Sequence, residues 1–247
     1  MIALATAIES VSTFARDAYH ALREVPAEIS SLVDRVSSEA GWVLGVESSG
    51  RYGRRSYVFE ARNISVYGYS IAPQPLALVQ IRRYLQNRYG KSVRKSYALV
   101  GIDEGDQLFA HVLPSSPLQW SGIAGMTPEQ AIQKAESVIF RVPVAKLDTI
   151  IRQGDIAIVP VRAIPGAASR VEPSVSLHEW TMENSHDLTV DGDLYQNGDD
   201  LYANGLIEID HAKGEHHPVD YSGKARIVIG SAGDEPWWLT GSFAYGD

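Results

Sequence analysis

Residues 51 to 95 combine positive charge with tyrosine, and together these residue types could bind nucleic acid. The stretch contains ten Lys and Arg against one acid, Glu60, a charge of +9 within a chain of net charge −8. Basic side chains neutralise phosphates, and tyrosine rings, including Tyr67 in the stretch and Tyr97 just after it, can stack on unpaired bases. The candidate contacts are Arg54, Arg55, Tyr57, Arg82, Arg83, Arg88, Tyr89, Lys91, Arg94 and Lys95. The alternative is that the tyrosines are half-buried strand residues and the arginines a solvated rim.

Histidines near carboxylates form a second group with possible chemistry. Five of the seven histidines lie between residues 178 and 217, and imidazole with carboxylate suits zinc, iron or manganese. The candidate ligand set is His186, His211, Glu215 and His216. No spacing among them is diagnostic of a metal site. The alternative is a set of exposed loop histidines, so the sequence predicts no cofactor and keeps the metal site as an alternative.

The remaining motifs give weaker indications of function. Asp191 to Asp200 resembles a calcium loop in composition, but it lacks the glycine and closing glutamate of an EF-hand, so a polar hairpin turn is the better interpretation. The chain has no cysteine, which excludes disulfides and thiolate zinc sites. No nucleotide-binding loop or serine nucleophile motif is present. Trp237 and Trp238 are adjacent, and one of them is a candidate anchor for a protein interface.

The elements that must position these groups follow from hydrophobic spacing. Two helices are predicted in the first forty residues, the second with Ile29, Leu32, Val33 and Val36 on one face. Strands are predicted around 57–60 and 64–71, followed by a helix between Pro75 and Gly90 that presents Arg83 outward with Arg82 and Arg88 on its flanks. A hairpin at 97–113 and a helix that begins at a capping box, Thr127 to Gln130, come next.

The second half of the chain has a different pattern, with short strands separated by turns. Strands are predicted at 156–161, 199–209 and 225–229. The fold class is therefore expected to be α+β, with a mixed helix and strand domain at 1–148 and a small antiparallel β domain at 149–247. Residues 171 to 247 hold fifteen acids against three basic residues. No signal peptide or membrane span is indicated, so we expect a cytoplasmic protein without a membrane partner.

The run Arg152-Gln153-Gly154-Asp155-Ile156, followed by Pro160-Val161 and Ile164-Pro165, resembles the opening of a small β-rich domain of uncharacterised bacterial and phage proteins. The resemblance covers about residues 150 to 230. It implies that His186 and His216 correspond to family histidines, whereas Asn184 and Lys213 replace two others. If those histidines bind a metal in the family, the resemblance implies that this copy has lost part of the site.

The sequence thus favours a non-enzymatic binding or assembly protein, because no specific catalytic signature is present. Its basic face is expected to meet RNA, single-stranded nucleic acid or an acidic partner, and its acidic domain another protein. One alternative is a metal-dependent enzyme or metal-binding module. The other is a structural oligomer in which the basic face of one copy docks on the acidic face of the next.

Overall fold

The computed structural model describes residues 22, 24–40, 42, 49–52, 55–87, 90–102, 106, 108–114, 120–123, 125–177, 186–211 and 217–230. At 49–52, 55–63, 83–87 and 90–92, and at Ser176, it describes only the backbone. The described residues form two compact units, one within Met1–Ile102 and Leu108–Ile132 and the other mainly within Gln133–Ala232. The fold is α+β and rich in antiparallel strands, as the sequence predicted. The domain boundary at 148 and 149 stays a prediction.

The first unit contains a five-stranded antiparallel sheet whose strands follow chain order. The strands are β1 (Ser49–Tyr52), β2 (Arg55–Ser70), β3 (Leu76–Asn87), β4 (Gly90–Ile102) and β5 (Leu108–Val112). Each strand pairs with the next, so the sheet is built from successive hairpins. The strands predicted at 57–60 and 64–71 are parts of one longer strand, β2, and the predicted hairpin at 97–113 is confirmed.

One face of this sheet is covered by helix α1 (Ala27–Glu39). The four residues predicted for one helix face are all buried, and they pack against alternate residues of β3, namely Ala77, Val79 and Ile81. Burying such an apolar stripe against a sheet is the main source of stability for a short helix. The prediction of this helix is confirmed, whereas the helix predicted before it lies outside the described residues.

The prediction of a helix between Pro75 and Gly90 is wrong, because residues 76–87 form the central strand β3. Leu78, Ile81 and Leu85 have helical spacing, but both faces of the middle of β3 are buried, so the alternation that marks a strand is lost. Backbone pairing to β2 on one side and β4 on the other satisfies the strand's polar groups.

Helix α2 (Pro128–Ile139) begins at the predicted capping box. The backbone N–H of Thr127 donates to the Gln130 side-chain oxygen at 3.0 Å, and the Gln130 N–H donates to the Thr127 hydroxyl at 3.3 Å. The first turn of α2 lies directly on β2 at Gly68, where an added Cβ would come within 2.6 Å of the Ala131 Cβ. Glycine is therefore required there for the helix to approach the strand.

The second unit is a seven-stranded antiparallel sheet preceded by a short 3₁₀ helix, Val144–Thr149. Its strands are β6 (Ile151–Gln153), β7 (Ile156–Pro160), β8 (Ser169–Val171), β9 (Ser174–Ser176), β10 (His186–Asn197), β11 (Asp200–His211) and β12 (Val219–Ile229). The lateral order is β6-β7-β12-β11-β10-β8, and β9 also pairs with β10. The predicted strands are confirmed, and β10 to β12 are the longest of them. Their alternate apolar residues form the core of this unit.

Three glycines form a lateral row across these long strands: Gly192 is paired with Gly205, and Gly205 with Gly223. At Gly205 φ is 150°, and an added Cβ would lie 2.1 Å from the Asp191 carbonyl oxygen. At Gly192 φ is 146°, with the Asn204 carbonyl oxygen 2.3 Å from an added Cβ. The backbones of β10 and β11 therefore approach each other at a point where no side chain fits.

Gly205→Ala is expected to lower the free energy of unfolding by about 2–4 kcal/mol, because it adds backbone strain and a steric clash. The matched control is Gly166→Ala, since an added Cβ at Gly166 meets nothing within 4 Å. The control is expected to change stability by less than about 0.5 kcal/mol. Urea denaturation followed by circular dichroism measures both, and equal effects would show that the glycine row carries no constraint.

Candidate functional site

Arginines occupy laterally paired positions where β2, β3 and β4 lie side by side. Arg83 is the Cα partner of Arg62 on β2 and of Arg94 on β4. We call these three positions the arginine row. Like charges at directly opposite positions destabilise a sheet. Among the side chains that the structure describes, Arg94 is exposed and forms no ion pair with a carboxylate. The row is therefore a set of three basic positions that lie side by side across the sheet.

The adjacent row across the same strands contains Asn63, Arg82 and Lys95. Lys95 is exposed, but consecutive residues of a strand point to opposite faces, so Lys95 and Arg94 lie on different faces of the sheet. Arg82 is different, because its side chain is only 2% exposed. The prediction that Arg82 lies on the flank of an exposed helix is wrong, since the strand turns this residue into the interior. In this fold Arg82 is not a surface contact for a partner.

The Arg82 guanidinium is held by neutral hydrogen-bond acceptors. Its Nε donates to Gln80 Oε1, and its Nη2 donates to the Tyr67 hydroxyl at 2.9 Å. The Tyr67 hydroxyl donates to the same Gln80 oxygen at 3.3 Å, and Gln80 Nε2 donates to the Tyr97 hydroxyl. No described carboxylate pairs with this guanidinium. Since a buried charge is costly unless it is hydrogen-bonded, this network is a structural requirement of the sheet.

The aromatic rings beside Arg82 pack on each other. The Tyr67 and Tyr97 ring centroids are 5.9 Å apart in an edge arrangement, and Tyr97 stacks on Trp120 at 4.8 Å. The Trp120 indole N–H donates to the Pro114 carbonyl at 3.0 Å. The faces of these rings are thus used inside the protein. For Tyr67 and Tyr97 the alternative interpretation, tyrosine as a buried strand residue, is the correct one.

Seven of the predicted site residues lie outside the described residues. They are Arg54, Arg88, Tyr89, Glu215, His216, Trp237 and Trp238. For Arg55, Tyr57, Arg83 and Lys91 only the backbone is described, in β2, β3 and β4. The exposed cations that the structure describes in the basic stretch are therefore Arg94 and Lys95.

Two of the predicted metal ligands come together in the second unit. His186 and His211 are Cα partners on β10 and β11, their ring centroids are 4.7 Å apart, and both are buried. The Asp155 carboxylate lies 4.0 Å from His186 Nδ1. The interpretation of these two histidines as exposed loop residues is wrong. Among the described residues, however, no three potential ligands are close enough together to hold a metal ion.

The Arg-Gln-Gly-Asp run at the start of the second sheet has a structural role at each position. The Arg152 guanidinium pairs with the mostly buried Glu136 carboxylate of α2 and lies over the Phe140 ring. Gln153 is buried, and its amide donates to the His217 carbonyl at 2.6 Å. Gly154 has φ 56° in the turn between β6 and β7, and the Asp155 carbonyl accepts from the Gly230 N–H at 2.7 Å. In the sequence this run is distinguished only by its resemblance, and no local pattern predicts these contacts.

The acidic segment between residues 191 and 200 belongs to a hairpin. Strand β10 continues to Asn197, and Gly198 with Asp199 forms the turn into β11. The hairpin interpretation is confirmed, although the turn is shorter than the sequence suggested. Asp193 Oδ1 lies 2.5 Å from Arg170 Nη2, and Asp193 Oδ2 accepts a hydrogen bond from the Tyr195 hydroxyl at 3.3 Å. This carboxylate therefore has partners within the protein.

Comparison with known proteins adds no relative, because the chain matches no protein-family model, no curated protein and no solved structure. The resemblance of residues 150–230 to a β-rich domain therefore stays a prediction. Within the described part of the chain, no helix has the length and apolar character needed to cross a membrane.

Arg82→Met is expected to lower the free energy of unfolding by about 1–3 kcal/mol, because Gln80 and Tyr67 lose a buried hydrogen-bond partner. Methionine fills similar space, which keeps the cavity contribution small. The matched control is Arg94→Met, because Arg94 is exposed on the neighbouring strand β4. Its free energy of unfolding is expected to change by less than about 0.5 kcal/mol. Chemical denaturation of both variants tests this assignment, and two equal changes would contradict a structural role for Arg82.

Proposed function

We propose that this protein binds a polyanion, single-stranded nucleic acid in particular, through the basic ends of β2, β3 and β4. The observation that carries the proposal is the lateral pairing of Arg62, Arg83 and Arg94. Arg94 of this row is exposed and forms no ion pair with a described carboxylate. A phosphate backbone is an extended anion that can meet several such cations at once and release the ions condensed on it.

The proposed binding depends more on contacts to phosphates than on stacking against bases. Tyr67 and Tyr97 are engaged in the interior, so they do not offer free ring faces. Stacking by Tyr57 and Tyr89 remains part of the proposed contact. Binding dominated by phosphates is expected to be steeply dependent on salt and weakly dependent on base sequence.

Arg94→Gln is expected to weaken binding to all single-stranded oligonucleotides alike. Removing one cation that neutralises a phosphate reduces the slope of log affinity against log salt by about 0.7. Fluorescence anisotropy with a labelled oligothymidylate and a mixed-sequence oligonucleotide, measured at several salt concentrations, gives both quantities.

Arg170→Gln is the matched control, because Arg170 is an exposed arginine of the second unit paired with Asp193. It should leave affinity and slope unchanged. If the wild-type protein binds no oligonucleotide at low salt, the nucleic-acid proposal fails. Light scattering at low and high salt then tests the alternative oligomer, whose mass would fall as salt screens the docked faces.

A metal-binding module is the second candidate, and one observation favours it. His186 and His211 are buried in mutual contact, and the Asp155 carboxylate lies 4.0 Å from His186 Nδ1. These are residue types that bind divalent metals, although the three groups do not converge on one metal position in the structure. The test is elemental analysis of untagged protein and of His186→Ala/His211→Ala. A stoichiometric metal that disappears in the variant would support this candidate, and a metal-free wild-type protein would remove it.

A further inference from the structure

The second unit contains a cavity that the proposed function does not use. Its volume is about 870 Å³, which is within the range of small-molecule sites, about 300–1,000 Å³. It lies beside the 3₁₀ helix Val144–Thr149 and the loop that follows β7, and all its lining residues belong to the second unit. The size suits an organic molecule rather than a single ion.

The cavity wall is apolar with cations placed on it. Val142, Pro143, Val159, Pro160 and Val161 provide aliphatic surface, and Tyr202 adds an aromatic ring. The charged residues of the lining are Lys146, Arg162 and Arg226, and no acidic residue lines the cavity. Residues 133–230 contain fifteen acids and nine basic residues. A lining with three cations and no acid is therefore opposite in sign to the unit that contains it.

The three cations are not equivalent. Arg226 Nη2 donates to the Arg141 carbonyl at 3.0 Å, and its Nη1 lies 3.9 Å from the Asp200 carboxylate. Arg226 is thus fixed in position and partly neutralised. Lys146 and Arg162 are exposed, and within the described residues neither forms an ion pair with a carboxylate. The surplus positive charge of the cavity therefore resides on Lys146 and Arg162.

We propose that this cavity binds an amphipathic organic anion, a molecule with an apolar body and one carboxylate or phosphate group. The apolar body would lie against Val159, Pro160 and the Tyr202 ring. The anionic group would lie between Lys146 and Arg162, where charge-assisted hydrogen bonds are stronger than neutral ones. Both halves of such a ligand are needed, because the apolar wall selects against a hydrated inorganic anion and the cations select against a neutral hydrocarbon.

The test uses two probes that share an apolar body, anilinonaphthalene sulfonate and phenylnaphthylamine, which lacks the sulfonate group and is neutral. Their fluorescence rises on entering an apolar site, so titration gives both affinities. The wild-type protein should bind the sulfonate more tightly. Lys146→Gln/Arg162→Gln should reduce the affinity for the sulfonate about tenfold or more for each cation removed, because each contributes a hydrogen bond to a charged group. Its affinity for the neutral probe should stay unchanged.

Ala163→Trp tests the location, because Ala163 is an exposed residue of the lining and a larger side chain there occupies the cavity. This variant should weaken the binding of both probes. Arg170→Gln, an arginine outside the lining, and Arg94→Gln, in the first unit, should bind both probes as the wild-type protein does. The second of these controls separates failure of this proposal from failure of nucleic-acid binding.

A competition experiment then addresses the ligand class. Dodecanoate should displace the sulfonate probe from the wild-type protein, and dodecanol should do so much less effectively. Equal affinity for the two fluorescent probes, or unchanged sulfonate binding in both Lys146→Gln/Arg162→Gln and Ala163→Trp, would overturn the proposal. Displacement by an acidic peptide but by neither dodecanoate nor dodecanol would also overturn it, because the site would then be a peptide-binding groove.

Discussion

The hydrogen-bond register of the long antiparallel hairpins determines which residues of this protein meet. Residues that are distant in sequence become lateral neighbours once two strands pair, and a shift of one residue would send every side chain to the other face. The pairing of β2, β3 and β4 produces the arginine row, Arg62, Arg83 and Arg94. In the second unit, register brings His186 to His211. The glycine row across β10, β11 and β12 depends on the same ladders, because a close backbone approach is possible only where glycines coincide.

The buried Arg82 shows how the first sheet tolerates a charge in its interior. A guanidinium taken out of water loses its hydration, and hydrogen bonds to the Tyr67 hydroxyl and Gln80 replace part of it. The stacked rings of Tyr97 and Trp120 lie next to this network. These neighbouring neutral groups offset the desolvation cost of the guanidinium, and no described carboxylate takes part. The same basic stretch therefore divides into an interior cation that supports the sheet and exposed cations, such as Arg94, that are available to a partner.

Local signals in the sequence predicted local structure, whereas contacts set by pairing were not predictable. Helix α1 follows from an apolar stripe, and the start of α2 follows from the Thr127 and Gln130 capping box. Strand β3 was mistaken for a helix because burial on both faces removes the alternation of polar and apolar residues. The sequence singled out His186 and His211 as residue types, but only the register of β10 with β11 places them in contact. The wall of the cavity combines side chains that are up to a third of the chain apart, so no single sequence window could indicate it.

The two positively charged surfaces suit different anions, because the cations of the cavity lie beside an apolar wall whereas those of the arginine row are spread across a sheet. The arginine row is spread across an open sheet, where neighbouring strands are roughly 5 Å apart, and salt screens exposed charges over about 8–10 Å. Such a surface favours an extended partner that offers many charges together. Around Lys146 and Arg162 the cations lie beside an apolar wall, so a ligand with an apolar body can bury that body while its charged group meets a cation. A small anion gains little on the open row, and a phosphate backbone has no apolar body to fill the cavity. The two surfaces can therefore act on different ligands within one acidic protein.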